Sequence, residues 1–277
     1  MTPPADTPPP RGGSQHRLPP PPRETPRAAL VRPPSDAFAR AISSTGAAID
    51  PGRARAQHAA YRDALADLVE VVVLPPADDL PDACFVDDCA VVLGGQALLT
   101  RPGAPSRAGE PETLAGTLAT LVDDLHRMSA PATLDGGDVL RLGRTLVAGR
   151  SERTTQDGIG QLTRFAEAAG GRVEVAAVPP GVLHLQSAVT GLADDAVVGT
   201  AELLEQPALR GVPTRVVVPP EEAAAGNALA VGTTVLLPAG CPRTAAAVAA
   251  LGFEVRELDL SEFAKADGGA TCLSLLV

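Results

Sequence analysis

Apolar and polar positions follow two periods along this chain. Four segments share one texture, an apolar run, a Gly- or Asp-bearing turn and a second apolar run: CAVVLGGQALLT (89–100), DVLRLGRTLVAG (138–149), AVTGLADDAVVG (188–199) and ALAVGTTVLLPA (228–239). Each predicts two short strands joined by a tight turn. A further apolar run, 272–277, begins what could be a fifth unit and needs a partner strand from the N-terminal end of the fold. Between the hairpins the period changes. Leu114, Leu118, Leu121, Val122 and Leu125 share one helical face, and helices are also predicted over 156–169, 201–209 and 244–251. The Gly170-Gly171 pair stops the second of these, and Gly252 the last. Lone β-rich runs at 69–74, 173–175, 215–218 and 254–258 complete the pattern. The repeated units start 49, 50, 40 and 44 residues apart, which suits a ring of blade-like ββαβ units closed by joining the two ends of the chain. The fold class is α/β, one domain.

Composition adds a boundary. Twelve of the 28 prolines lie in 1–34, with five Arg and two acidic residues, so this segment is expected to be a disordered tail and 35–277 the folded domain. The tail carries +3 of a formal net charge of −10, leaving −13 on the rest. An acidic chain with no Trp and one Tyr lacks the basic footprint and stacking platforms of a nucleic-acid binder. With Lys265 the only lysine, no Walker-type phosphate loop can be written. No apolar run suffices for a membrane span or a signal-peptide core, which suggests a cytoplasmic protein without a membrane partner. Cys84, Cys89, Cys241 and Cys272 form no CxxC motif, in keeping with a reducing compartment.

Chemistry collects at equivalent places in the repeats. Just before the successive strands stand Asp82, Asp87 and Asp88; Asp135 and Asp138 around a Gly pair; His184; Asn227; and the stretch from Asp267 to Cys272. Arranged about one axis, these positions bring acids, a His and a Cys to one cavity, as a nucleophilic site requires.

The segments LPDACFVDDC (80–89), TRPGAPSR (100–107), TLDGGDVL (133–140), GVLHLQS (181–187) and ADGGATCLSL (266–275) resemble, in order, the motifs of the dimethylarginine dimethylaminohydrolases, members of the guanidino-group-modifying (pentein) superfamily. The resemblance spans about 35–277 and implies a five-bladed α/β propeller. It also implies hydrolysis of Nω-methylated arginine to citrulline and a methylamine, with no metal or organic cofactor, by a monomer or homodimer acting on a small-molecule substrate. Cys272 is then the nucleophile, a thiolate being suited to a guanidinium carbon whose charge is delocalised. His184 is the general acid and base, and Asp135 contacts the guanidinium and orients His184. Asp88 with Asp87 beside it accepts from the guanidinium, Arg107 and Arg153 clamp the substrate carboxylate, Asp82 takes the α-ammonium, and Asp267 polarises the site near Cys272.

Each residue also has a plainer reading. Cys84, Cys89 and Cys241 read as small buried hydrophobes, and Cys272 would too outside its motif. Arg107 and Arg153 could be ordinary exposed or ion-paired arginines, and Asp138 reads as a structural acid. His58 and His126 lie on predicted helices, with surface roles. Cys84, Cys89 and His126 make only a weak zinc pattern. Asp87 stands where the family commonly has Glu. The family's N-terminal lid maps loosely to 31–41, with Ala37 or Phe38 in the place of its substrate contact. Two other functions compete: an arginine deiminase-like or amidinotransferase enzyme of the same superfamily, and a propeller that only binds.

Overall fold

The computed structural model describes residues 25–277; the first 24 residues of the Pro-rich segment, expected to be a tail, lie outside the described residues. Strand β1 (Ala28–Val31) leads through helix α1 (Pro51–Ala66) to β2 (Glu70–Val73), parallel to β1. The next unit is β3 (Ala90–Leu93), β4 (Gln96–Leu99), α2 (Glu112–Leu118) and β5 (Asp124–Arg127). The third is β6 (Val139–Leu142), β7 (Thr145–Arg150), α3 (Gln156–Ala168) and β8 (Arg172–Ala177). Then come β9 (Val189–Ala193), β10 (Ala196–Gly199), α4 (Ala201–Leu204) and β11 (Thr214–Val217), followed by β12 (Leu229–Val231), β13 (Thr234–Pro238), α5 (Pro242–Ala249) and β14 (Glu254–Leu258). A short helix α6 (Ser261–Ala264) precedes β15 (Ser274–Leu276), which runs antiparallel to β1 with Leu30 opposite Leu275.

The result is five three-stranded sheets, each an antiparallel pair extended by a parallel strand after a helical crossover. Four sheets are sequential, and the fifth, β15-β1-β2, joins distant parts of the chain. This is the five-bladed α/β propeller of ββαβ units that the repeats predict. Each crossover helix, α1 to α5, covers its own apolar cluster. Leu114 and Leu118 of α2 pack with Leu30, Leu99 and Leu275, while Ile159, Leu162 and Phe165 of α3 pack with Leu93, Leu98 and Leu146. Burial of such side chains contributes about 1.5–3 kcal/mol each, so the ring is held by five modest cores. Among the described residues no helix is long and apolar enough to cross a membrane.

Several expectations change. Ala28–Val31 is a fully enclosed strand and Arg32 is 1% exposed, so the folded unit starts before residue 35. Proline-rich surroundings hide a four-residue strand that is itself the N-terminal partner required by the last apolar run. The helix predicted from Leu114 to Leu125 ends at Leu118; Leu121 and Val122 lie in the following turn and Leu125 in β5, all packing on the same core. Helix α4 is likewise a single turn. Helix α1, by contrast, has a weak apolar stripe, because its inward face carries Gln57 and His58 among Ala54, Tyr61 and Leu65. Its start is firm: the Asp50 carboxylate accepts from the Gly52 and Arg53 N–H groups, with Pro51 in the first turn. His58 is buried, not superficial, and burial drives its pKa down to about 4. His126 lies on β5 against Gln96.

A short 3₁₀ turn precedes the first strand of each hairpin: Val86–Cys89, Gly136–Asp138, Leu185–Ser187, Pro220–Gly226 and, before β15, Thr271–Leu273. The first carries Asp87 and Asp88, Asp135 and His184 immediately precede the second and third, and the fifth carries Cys272. The turns abut one another around the ring, which converts equivalent repeat positions into one site.

Candidate active site

A cavity among these turns is lined by Asp82, Asp88, Arg107, Arg153, His184 and Cys272, with Ile42, Phe85, Leu183 and the stretch from Ala266 to Gly268 completing its wall. Thus seven of the nine residues singled out by sequence, these six and Asp267, line one cavity. Asp135 and Asp87 do not.

Asp135 stands behind His184. Its Oδ2 is 2.9 Å from His184 Nε2, and its Oδ1 accepts from the Gly103 N–H at 2.7 Å. With both oxygens occupied and no exposed surface, Asp135 orients the imidazole, and the predicted contact with a guanidinium is not made from there. His184 Nδ1 faces Asp88 Oδ1 across 3.8 Å, beyond hydrogen-bond reach. Burial alone would lower the His184 pKa, but Asp88, the Asp135 hydrogen bond and Asp138 outweigh it and raise it to about 9. These carboxylates therefore favour the charged form of the imidazole. Gly137 makes this approach possible: a Cβ there would lie 2.7 Å from Asp88 Oδ1 and 2.9 Å from His184 Nδ1.

Asp88 is pinned by the Gly137 N–H at 2.9 Å and by Arg107 Nη1 at 2.5 Å. Burial opposes its ionisation, yet Arg107 and His184 prevail and its pKa is lowered. Arg107 also donates to Glu110 Oε2 through Nε (2.9 Å) and Nη2 (2.7 Å), and to the Phe85 carbonyl. All three guanidinium nitrogens are thus engaged inside the protein, so Arg107 is a support for Asp88 and is not free to clamp a carboxylate. Arg153 has no ion-pair partner among the described residues. Glu110 has no exposed surface, and burial lifts its pKa to about 7 against the pull of Arg107. Sequence reasoning missed Glu110, although it stands three residues beyond the TRPGAPSR motif on the same side of the turn as Arg107.

Asp87 points away from this cavity. Its Oδ2 accepts from Gln186 Nε2 at 3.1 Å, and it lines a separate cavity of about 650 Å³ on the hairpin side, so its place beside the guanidinium is not borne out by the geometry. Asp138 is the structural acid expected, accepting from Ser151, Thr154 and the Leu185 N–H. Asp267 has a different task from the one predicted. It adopts φ 57°, rare outside glycine, and its carboxylate binds the Ser44 N–H (2.7 Å) and hydroxyl (2.6 Å). With Asp82 Oδ1 accepting from the Ile42 N–H at 3.0 Å, these contacts hold the 42–46 loop over the cavity. Ile42, not Ala37 or Phe38, is the apolar residue of that loop at the site; Phe38 is locked in the core between Phe85 and Phe263.

Cys272 is half-buried, whereas Cys84, Cys89 and Cys241 are buried as expected. Burial, then Asp88, pushes the Cys272 thiol up to about 11, while the Gly269 N–H and Asn227 oppose this. Among the described residues only Asp88, Asp135 and His184 gather three metal-ligating atoms, all within 4.8 Å of one another; Cys84, Cys89 and His126 do not converge.

Five ββαβ blades with a cysteine, a histidine and buried carboxylates at one end of the ring define a pentein of the guanidino-group-modifying class. The arginine deiminase family model matches residues 78–216. The chain is 42% identical over 252 residues to the N(G),N(G)-dimethylarginine dimethylaminohydrolase of Streptomyces coelicolor, covering 89% of this chain and 95% of that one. It is 35% identical to the enzyme of the same name from Pseudomonas aeruginosa, covering 82% and 89% respectively. A solved structure of the Pseudomonas aeruginosa protein, a cysteine-to-serine mutant complexed with citrulline, superposes with a TM-score of 0.89 at 32% identity over 92% of this chain and 100% of that one. The chain belongs to the dimethylarginine dimethylaminohydrolase family.

Proposed function

We propose that the protein hydrolyses Nω-methylated arginine, asymmetric dimethylarginine or monomethylarginine, to citrulline and dimethylamine or methylamine. The observation that carries this reading is that Cys272, His184 and Asp88 line one cavity, with the Asp135 carboxylate 2.9 Å from the far nitrogen of the imidazole. A cationic planar guanidinium is held there by Asp88, which accepts its N–H groups, while Arg153 takes the substrate carboxylate and Asp82 the α-ammonium. As the cation enters, the Cys272 thiol gives up its proton to solvent, and Sγ attacks the guanidinium carbon as a thiolate, giving a tetrahedral adduct. The proton on His184 Nδ1 passes to the departing amine, the C–N bond breaks, and a thiouronium remains. His184, now neutral and still held by Asp135, removes a proton from water as it attacks the same carbon. The C–S bond then breaks and the new hydroxyl loses its proton to solvent, releasing citrulline and the Cys272 thiolate while His184 keeps the proton it took from water. The acidic domain steers the cation toward the cavity. The same reading carries the expectations of a cytoplasmic monomer or homodimer without cofactor, and light scattering would test the assembly.

The test is to incubate the purified protein separately with asymmetric dimethylarginine, monomethylarginine and arginine, measuring citrulline, beside Cys272→Ser. Citrulline from the methylated substrates and none from the variant is expected. Turnover of arginine alone would overturn the substrate in favour of a deiminase-like enzyme; no turnover at all would favour the propeller as a binding module.

A further inference from the structure

We propose that Asn227 is a catalytic residue, its side-chain amide and the Gly269 N–H together forming a two-donor cradle that stabilises the thiolate of Cys272. The proposal rests on the reading of Cys272 as nucleophile. Asn227 Nδ2 and the Gly269 nitrogen each lie 3.5 Å from Cys272 Sγ, within the longer reach of hydrogen bonds to sulfur. A thiol accepts such bonds weakly and a thiolate strongly, so the cradle favours the reactive form.

The orientation of the amide follows from chemistry. Asn227 Oδ1 accepts from the Thr271 N–H (2.9 Å) and the Thr271 hydroxyl (2.8 Å). A flipped amide would set its NH₂ against a backbone N–H that can only donate. Nδ2 is therefore turned to the sulfur. The Asn227 carbonyl accepts from the Ala270 N–H at 3.3 Å, so the nucleophile's turn is wrapped around this one residue of a neighbouring blade. Gly269 permits the wrapping, since a Cβ there would lie 2.4 Å from Asn227 Cγ. The donors are neutral, which suits the substrate. A Lys or Arg beside Sγ would favour the thiolate more strongly but would repel the incoming guanidinium cation.

Asn227→Asp tests the assignment, because it keeps the size and the acceptor toward Thr271 but turns an anionic oxygen to the sulfur. Alkylation of the substrate-free full-length protein by iodoacetamide is followed against pH, with thiolate absorbance at 240 nm as a second readout. The midpoint should rise by about one pH unit or more, a tenfold loss of thiolate at fixed pH below it. Citrulline kcat should fall by about tenfold with KM changed less than about threefold. A folded variant with the wild-type alkylation profile would overturn the proposal. Should Asn227→Asp fail to fold, Asn227→Ala serves: losing the amide donor should shift the midpoint the same way by less, and no shift would overturn it equally. Alkylation needs no substrate, so a protein inactive on methylarginines but showing the shift would defeat the proposed reaction and leave the cradle standing.

Discussion

The two walls of the cavity are built on opposite principles. One, from the turns carrying Asp88, Asp135 and His184, is charged and closed: Asp135, Asp138 and Arg107 spend their polar atoms on His184, Thr154, Asp88, Glu110 and nearby backbone. The other, carrying Cys272, offers the sulfur only neutral donors and is lightly tied, through Gly269, Asn227 and the 42–46 loop that Asp267 holds. The difference separates two proton tasks. In the proposed reaction the charged wall favours a proton on His184, where the leaving amine would take it up, and it adds to burial in raising the Cys272 thiol. The neutral wall counteracts the second effect without a cation that would exclude the substrate.

The harshest way to break this contrast is Asp88→Asn, which removes an anion from the charged wall. It leaves the buried Arg107 with Glu110 alone as an anionic partner, so about 3 kcal/mol of stability should be lost, at the lower end for a broken buried pair, together with nearly all citrulline formation. Urea midpoints and the citrulline assay read both. A milder probe is His184→Gln. The raised pKa of His184 gives stability that is complete below its ordinary value of 6.5 and is lost as pH rises through about 9. Urea midpoints of the native protein should therefore fall between those pH values, and the variant should lack that decline. Glu110→Gln probes a lower window. A buried carboxyl raised from 4.5 to about 7 makes stability fall as pH rises between those values, and the variant's midpoint should be flatter there. The smallest effect belongs to the neutral wall. Asp267→Ala should cost about 0.5–1.5 kcal/mol per lost hydrogen bond and lower kcat/KM severalfold through the 42–46 loop, while leaving the alkylation profile of Cys272 in place.

The ring was legible from sequence because hairpin alternation repeats at near-equal spacing and survives any detail of packing. What escaped has physical causes. Tertiary contacts, not an apolar stripe, bury Gln57 and His58 of α1. Leu121 and Val122 serve the core from a turn, where helical spacing cannot distinguish them from a longer α2. At the site, motifs identified which side chains gather but not which bonds they already make among themselves. Arg107 and Asp135 looked available for substrate until Glu110, Phe85 and Gly103 were seen to occupy them. Asn227 stood out only as a polar residue before a strand, because its partner, the Thr271 backbone, is visible only in three dimensions.

The pairing of β1 with β15 has a kinetic consequence. Leu30 meets Leu275 across nearly the whole sequence, the kind of contact whose loop-closure entropy delays its formation. Since the turn bearing Cys272 leads directly into β15, the nucleophile would be set in place only when the ring closes, and would be among the first groups displaced when it opens. Mild denaturant should then silence the protein while the four sequential blades still protect their amides from hydrogen exchange.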